Sequence, residues 1–153
     1  MAGCGADAKP AAPAPDGTEE SATIEVTMQS PDGADSKRLR VEDAHAPQTR
    51  RLRLMHRTEL PVDGGMLFRF PQPRTGGFWM KNTLIPLSIA FFDEDGRVLA
   101  VLDMKPCTAD PCPRYDPGLE YQGALEVNAG YFTRIGLTRG WTVRVPRGLP
   151  PAT

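Results

Sequence analysis

The alternation of apolar and polar residues is the main signal along this chain, and it predicts short β-strands. Residues 23–28 alternate as expected of a strand with one buried face. Asp93-Glu94-Asp95-Gly96 is the strongest hairpin turn between such segments. Further strands are predicted at residues 38–42, 66–70, 78–81, 85–92, 97–104, 121–127 and 141–145.

Two short helices are predicted between the strands, over residues 48–57 and 128–135. Pro47 suits the first helical position, and Leu52 and Met55 are expected to face the core. Many short strands with two small helices predict a predominantly β fold of the α+β class. The expected architecture is a small, compact, β-barrel-like domain.

Composition divides the chain into three parts. Its 153 residues are 40% hydrophobic, which is enough for one globular core. Residues 1–21 are rich in Ala, Pro and small polar residues, and we predict a disordered tether there. Residues 22–146 are predicted to form a single β-rich domain, and residues 147–153 a C-terminal tail.

The net charge of −1 argues against a protein that binds nucleic acid by neutralising phosphates. Arg50, Arg51, Arg53 and Arg57 form a basic run in the first predicted helix. This run could bind an anionic partner, but we interpret it as a solvated helix face.

The segment around Trp79 is the best candidate for a binding site. Strand alternation places Phe78 and Met80 in the core and directs Trp79 and Lys81 to the other face. An aromatic wall beside a cation, an amide and a hydroxyl suits a small polar or anionic ligand. The predicted ligand-binding residues are Trp79, Lys81, Asn82, Thr83 and Glu126.

Alternation also makes an ion pair between Lys81 and Glu126 possible, with two interpretations. A structural pair would fix the register of the strands. A functional pair would serve a cell-envelope hydrolase, with Glu126 as base and Lys81 stabilising negative charge. We favour the structural pair and a binding or accessory module over an enzyme. A purely structural envelope protein without a ligand is the third hypothesis.

No metal or cofactor is predicted. His45 and His56 do not form a metal-binding motif, and no glycine-rich phosphate loop occurs.

Cys107 and Cys112 are predicted to form a disulfide, because four residues separate them and prolines flank both. Free thiols, or a redox or metal pair, are the alternatives. A disulfide belongs in an oxidising compartment.

Ala2-Gly3-Cys4 resembles the end of a bacterial lipoprotein cleavage box. We therefore predict lipidation of Cys4 and an extracytoplasmic protein that contacts the membrane only through its lipid anchor. If Met1 is the true start, a cytoplasmic location is the alternative. The oligomeric state is not predicted.

Several motifs together resemble one known family. They are Leu54-Met55-His56-Arg57, Gly65-Met66-Leu67-Phe68, residues 78–87, Asp95-Gly96, Leu125-Glu126-Val127 with Ala129-Gly130, and Gly140. This set resembles the domain of unknown function 192, over residues 40–145. The resemblance implies the fold but no reaction. The chain departs from the family pattern at Arg53, where Gly is usual, and at Ser88, where an acidic residue is frequent.

Overall fold

The computed structural model describes residues 22–153. The predicted tether at residues 1–21, including Cys4, lies outside the described residues. Within the described residues, the elements in chain order are β1 (Thr23–Gln29), β2 (Ser36–Ala44), α1 (Pro47–Leu52), β3 (Gly64–Arg74), β4 (Phe78–Trp79), β5 (Leu87–Phe92), β6 (Val98–Met104), β7 (Arg114–Tyr115), β8 (Tyr121–Asn128), α2 (Tyr131–Ile135) and β9 (Thr142–Arg144).

Seven strands form one strongly curled sheet in the order β6-β5-β8-β3-β2-β1-β9. Neighbouring strands are antiparallel except for the parallel pair β2 and β3. The curl brings the two ends of the sheet together. There, at the start of β6, the Val98 N–H donates to the carbonyl of Trp141, just before β9, at 2.7 Å. This half-barrel with two short helices confirms the predicted predominantly β fold.

Two hydrophobic clusters fill the interior, and β8 contributes to both. Leu125 and Val127 belong to one cluster, whereas Ala124 belongs to the other. Phe78 and Met80 are buried in the second cluster, as strand alternation predicted. Strand β8 therefore has apolar neighbours on both of its faces.

The first helix is shorter than predicted, because α1 ends at Leu52. Arg53 follows with a positive φ of 48°, a conformation that ends the helix. The prediction that Leu52 faces the core is wrong, since 49% of this residue is exposed and Leu54 is buried instead.

The second helix begins later than predicted, at Tyr131 after a left-handed Gly130. Asn128 does not cap it. This residue stays in β8, and its amide donates to the carbonyls of Leu60 and Pro61 at 2.9 and 3.0 Å.

Two further differences concern loops. Strand β3 continues to Arg74 where a loop was predicted, and β7 lies within a second predicted loop. The C-terminal residue Thr153 lies close to the end of β2, since its N–H donates to the His45 carbonyl at 3.0 Å. Neither helix of the described part has the length and apolar character needed to cross a membrane.

Gly96 lies where the two ends of the sheet meet, since its carbonyl accepts the Val143 N–H at 2.7 Å. We therefore predict that Gly96→Ala destabilises the fold. Gly96 has a φ of +81°, and an added Cβ would lie 2.2 Å from the Val143 carbonyl oxygen. We expect the free energy of unfolding to fall by about 2–4 kcal/mol in urea titrations. Gly118→Ala is the control, because its φ is +72° with nothing near the added Cβ. Equal losses in both variants would contradict the closing role of Gly96.

Candidate anion-binding cleft

The structure separates the five predicted ligand-binding residues. Trp79 is partly exposed, with Lys81 Nζ 5.1 Å and the Arg114 guanidinium 5.7 Å from its ring centroid. Thr83 and Glu126 are each only 2% exposed. These residues therefore do not line one common surface.

The ion pair considered between Lys81 and Glu126 is not formed. Lys81 Nζ instead lies 3.0 Å from Oδ2 of Asp110, in the loop between β6 and β7. The cation that acts on Glu126 is Arg53. The hydrolase hypothesis required Lys81 and Glu126 to act together. Instead, Lys81 pairs with Asp110, and the charge that acts on Glu126 is that of Arg53.

Asn82 and Thr83 hold the loop that contains the disulfide. Asn82 has a φ of 57°, a left-handed conformation that asparagine tolerates better than most residues. Its N–H donates to the Cys107 carbonyl at 2.9 Å, and the Cys107 N–H donates to the Thr83 carbonyl at 3.3 Å. Cys107 and Cys112 are joined in the predicted disulfide. The backbone of this motif therefore has an evident structural role.

A cleft of about 220 Å³ lies next to this motif, between α1, β3 and β4. Four arginines and three phenylalanines dominate its walls. We call this site the basic cleft, and it is lined by Pro47, Arg50, Arg51, Arg53, Phe68, Phe70, Arg74, Gly77 and Phe78.

Arg53 is held in the basic cleft by an aromatic ring and a backbone carbonyl. Its guanidinium carbon lies 4.6 Å from the ring centroid of Phe78. Nη1 donates to the Trp79 carbonyl at 3.1 Å. A positive φ favours glycine, so the usual family residue would suit this backbone better than arginine does.

Arg50 and Arg74 are placed by the ring of Phe70. Their guanidinium carbons lie 5.1 and 4.6 Å from its centroid. Arg50 also donates to the carbonyls of His45 at 2.6 Å and Arg69 at 2.9 Å, and to a main-chain oxygen of Thr153, the last residue of the sequence. These contacts use several of its donors, and none of them is made to an Asp or Glu side chain.

The arginines of the basic cleft repel one another. Burial and the charge of Arg74 lower the pKa of Arg50. Burial also lowers the pKa of Arg53, while the negative charge of Glu126 opposes that change. Among residues 22–153, no Asp or Glu side chain forms a salt bridge with Arg50, Arg51, Arg53 or Arg74. A bound anion would relieve this repulsion.

Glu126 is a buried carboxyl group close to the basic cleft. Burial raises its pKa to about 7, and the charge of Arg53 opposes this rise only in part. The other deeply buried carboxylate, Asp43, differs because Arg69 donates to both of its oxygens at 2.7 Å. For Glu126 the causes of the pKa shift are burial and the charge of Arg53, and no hydrogen bond from the described residues contributes to it.

Ser88 stands where the family pattern often has an acidic residue. Its hydroxyl donates to Oδ1 of Asp103 on the neighbouring strand at 2.6 Å. The same hydroxyl accepts the Gly130 N–H at 3.1 Å, just before α2. A serine and a cross-strand aspartate therefore anchor the second helix here.

A larger open groove of about 560 Å³ lies elsewhere, around the turn between β1 and β2. Asp32 contributes a carboxylate there, and Ser30 Oγ already donates to it at 2.6 Å. With mixed charge and paired polar groups, this groove is a weaker anion site than the basic cleft. No group of His, Cys, Asp and Glu suited to a metal occurs within residues 22–153.

Comparison with known proteins identifies the class of this domain. Residues 27–145 match the DUF192 family, described as an uncharacterized ACR. The chain belongs to this family, as its motifs indicated. No curated protein matches it.

Two solved structures are similar to this chain. One is a protein of unknown function from Novosphingobium aromaticivorans DSM 12444, with 31% identity and a TM-score of 0.73, covering 94% of this chain and 99% of the other. Another, from Sinorhizobium meliloti 1021, is described as a candidate transcription regulator. It has 30% identity and a TM-score of 0.76, covering 84% of this chain and 98% of the other.

Sequence reasoning missed the basic cleft, although its signal was present. Arg50, Arg51 and Arg53 were interpreted as a solvated helix face, yet they line a concave site. Arg74 was assigned to a loop and given no role. Only the fold shows that β3 carries Phe70 and Arg74 to the end of α1.

The raised pKa of Glu126 predicts that stability falls as pH rises. Its folded pKa of about 7 exceeds the ordinary value of 4.5, so the native state holds this proton more tightly. Stability is complete below about pH 4.5 and declines as pH rises through about 7. The loss approaches about 3 kcal/mol at about 1.4 kcal/mol per unit. Urea titrations near pH 5 and pH 8 measure it.

Glu126→Gln should remove this pH dependence and be more stable than the wild type near pH 8. Glu120→Gln is the matched control, because Glu120 is exposed just before β8. Parallel pH profiles of the wild type and Glu126→Gln would show that Glu126 does not titrate as proposed.

Proposed function

We propose that this protein is a binding module for a small anion and that the basic cleft holds the ligand. One observation carries the proposal. Four guanidinium groups line a concave site, and within residues 22–153 none of them forms a salt bridge with an Asp or Glu side chain. Arginine binds sulfate, phosphate and carboxylate groups through paired hydrogen bonds. The phenyl rings provide apolar walls for the rest of a small ligand.

A binding function fits the contacts better than the hydrolase hypothesis does. That hypothesis needed Lys81 and Glu126 to act on one substrate, but Lys81 bonds Asp110. The cation whose charge acts on Glu126 is Arg53 instead. The basic cleft offers charge and shape for binding, whereas no nucleophile is among its lining residues.

Removing cleft arginines should weaken anion binding. We expect Arg53→Gly and Arg74→Gln each to lower the affinity for sulfate by about tenfold, since a hydrogen bond to a charged group contributes about 1.5–3 kcal/mol. Glycine suits the positive φ at position 53, so Arg53→Gly should preserve the fold. Isothermal titration calorimetry at low ionic strength gives the affinities.

Arg134→Gln is the matched control for this experiment. It removes the same charge from an exposed position on α2, outside the basic cleft. It should bind sulfate like the wild type. Equal weakening in all three variants would indicate a general charge effect, and no binding by the wild type would refute the proposed function.

The Sinorhizobium meliloti relative is described as a candidate transcription regulator, which makes nucleic acid an alternative anion. A cleft of about 220 Å³ suits one anionic group better than the backbone of a duplex. Duplex DNA titrated in the same buffer tests this alternative. Salt-dependent DNA binding that is lost in Arg53→Gly would favour it over a small ligand.

We also propose that the protein is an extracytoplasmic lipoprotein anchored through Cys4. Two separate features support this proposal. Ala2-Gly3-Cys4 resembles a lipoprotein cleavage box, and the Cys107–Cys112 disulfide is typical of an oxidising compartment. The ligand would then come from the cell envelope or the surrounding medium.

Intact mass spectrometry of the protein made in its native host, from the full upstream reading frame, tests this location. We expect a diacyl or triacyl adduct on Cys4 and two thiols that can be alkylated only after reduction. An unmodified chain that starts at Met1 and has three free thiols would place the protein in the cytoplasm.

A further inference from the structure

Glu126 lies on the side of the sheet that forms the floor of the basic cleft. It is opposite Met66 in the pairing of β8 with β3, and Ala124 is opposite Phe68. Met66, Phe68 and Ala124 share one hydrophobic cluster, and Phe68 lines the basic cleft. The carboxyl group of Glu126 is therefore directed into the cluster that supports the anion site.

Arg53 connects the buried carboxyl group with the basic cleft. It is a lining residue of the cleft and also the cation whose charge acts on Glu126. Its guanidinium is held over the Phe78 ring and by the Trp79 carbonyl. Because these contacts restrict its movement, the electrostatic effect of Glu126 on this cation is built into the fold.

The other charges around this pair are few. Tyr121 on β8, Arg74 on β3 and Arg114 on β7 act on Arg53 together with Glu126. From β5 and β3, the neighbours opposite Glu126 are the uncharged Ile89 and Met66. Helix α2 packs through Phe132 into the cluster on the opposite face. Glu126 is thus the acidic group that acts on the cleft cation Arg53.

We propose that the protonation of Glu126 controls anion binding in the basic cleft. The carboxylate form attracts Arg53 and repels an incoming anion, whereas the neutral form leaves the charge of Arg53 available to the anion. Binding near neutral pH is then accompanied by fractional uptake of a proton on the Glu126 carboxyl group. This inference rests on the proposed anion-binding function and specifies its regulation.

The coupling is reciprocal by thermodynamic necessity. If the neutral form of Glu126 binds the anion more tightly, bound anion raises the pKa of Glu126 by the corresponding amount. A tenfold difference in affinity matches a shift of about one pKa unit. Burial already raises the pKa of Glu126 to about 7, so the change in affinity falls near neutral pH.

Sulfate is the right probe, because its charge stays constant near neutral pH while that of phosphate changes. We expect wild-type protein to bind sulfate about tenfold more tightly near pH 5.5 than near pH 8.5. Glu126→Gln should bind at both pH values with the low-pH affinity of the wild type. Calorimetric titrations at fixed ionic strength give the four affinities.

Proton uptake provides a second measurement that needs no variant. Titrations of the wild type with sulfate near pH 7, in buffers of different ionisation enthalpy, report the number of protons taken up. We expect a value between zero and one, falling toward zero near pH 5.5, where Glu126 is already neutral. No uptake near pH 7 alongside measurable binding would overturn the regulatory role.

His45→Gln is the control, because it changes the side chain of a residue next to Arg50 without removing a cleft arginine. The His45 carbonyl accepts a hydrogen bond from Arg50, but this variant should keep the pH dependence of the wild type. A pH dependence that disappears in His45→Gln and persists in Glu126→Gln would overturn the inference. Absence of sulfate binding at either pH would instead refute the basic cleft itself.

Discussion

The burial of strand β8 on both faces is the constraint on which the rest of the structure depends. Leu125 and Val127 complete one hydrophobic cluster, and Ala124 contributes to the other. A sheet that must cover both faces of an interior strand curls into a half-barrel and closes its ends on each other. The same constraint places the carboxyl group of Glu126 away from water, beneath the end of α1.

Charge is distributed unevenly over this framework. Two acidic side chains of the described residues, Glu25 and Asp110, form surface pairs of modest value with Arg38 and Lys81. In the basic cleft, by contrast, the guanidinium group of Arg53 is held by the neutral Trp79 carbonyl and the Phe78 ring. Such contacts position a cation without neutralising it. Positioned, uncompensated charge is what an anion site requires and what a purely structural surface avoids.

The fold could be predicted from sequence because its signals are local, whereas the site could not. Alternation and turn chemistry gave the order of the main strands, and the family motifs agreed with it. The basic cleft combines α1 with the extension of β3 to Arg74. No local sequence pattern indicates that α1 and the end of β3 lie side by side. The predicted residues Lys81 and Asn82 were prominent in sequence because they anchor the disulfide loop, a structural task that resembles a site when only the sequence is considered.

Arg53 departs from the backbone preferences that most of the chain follows. Its φ of 48° is one that glycine adopts without strain, so an arginine there costs backbone energy. The guanidinium is partly desolvated, which lowers its pKa. The acidic group that acts on it is Glu126, a carboxyl group whose own burial is unfavourable. Three unfavourable features thus coincide at one residue of a domain that otherwise follows simple strand chemistry. Strain, desolvation and a buried carboxyl group in the same place are hard to explain by stability. They are what a cation held ready for an anion would require.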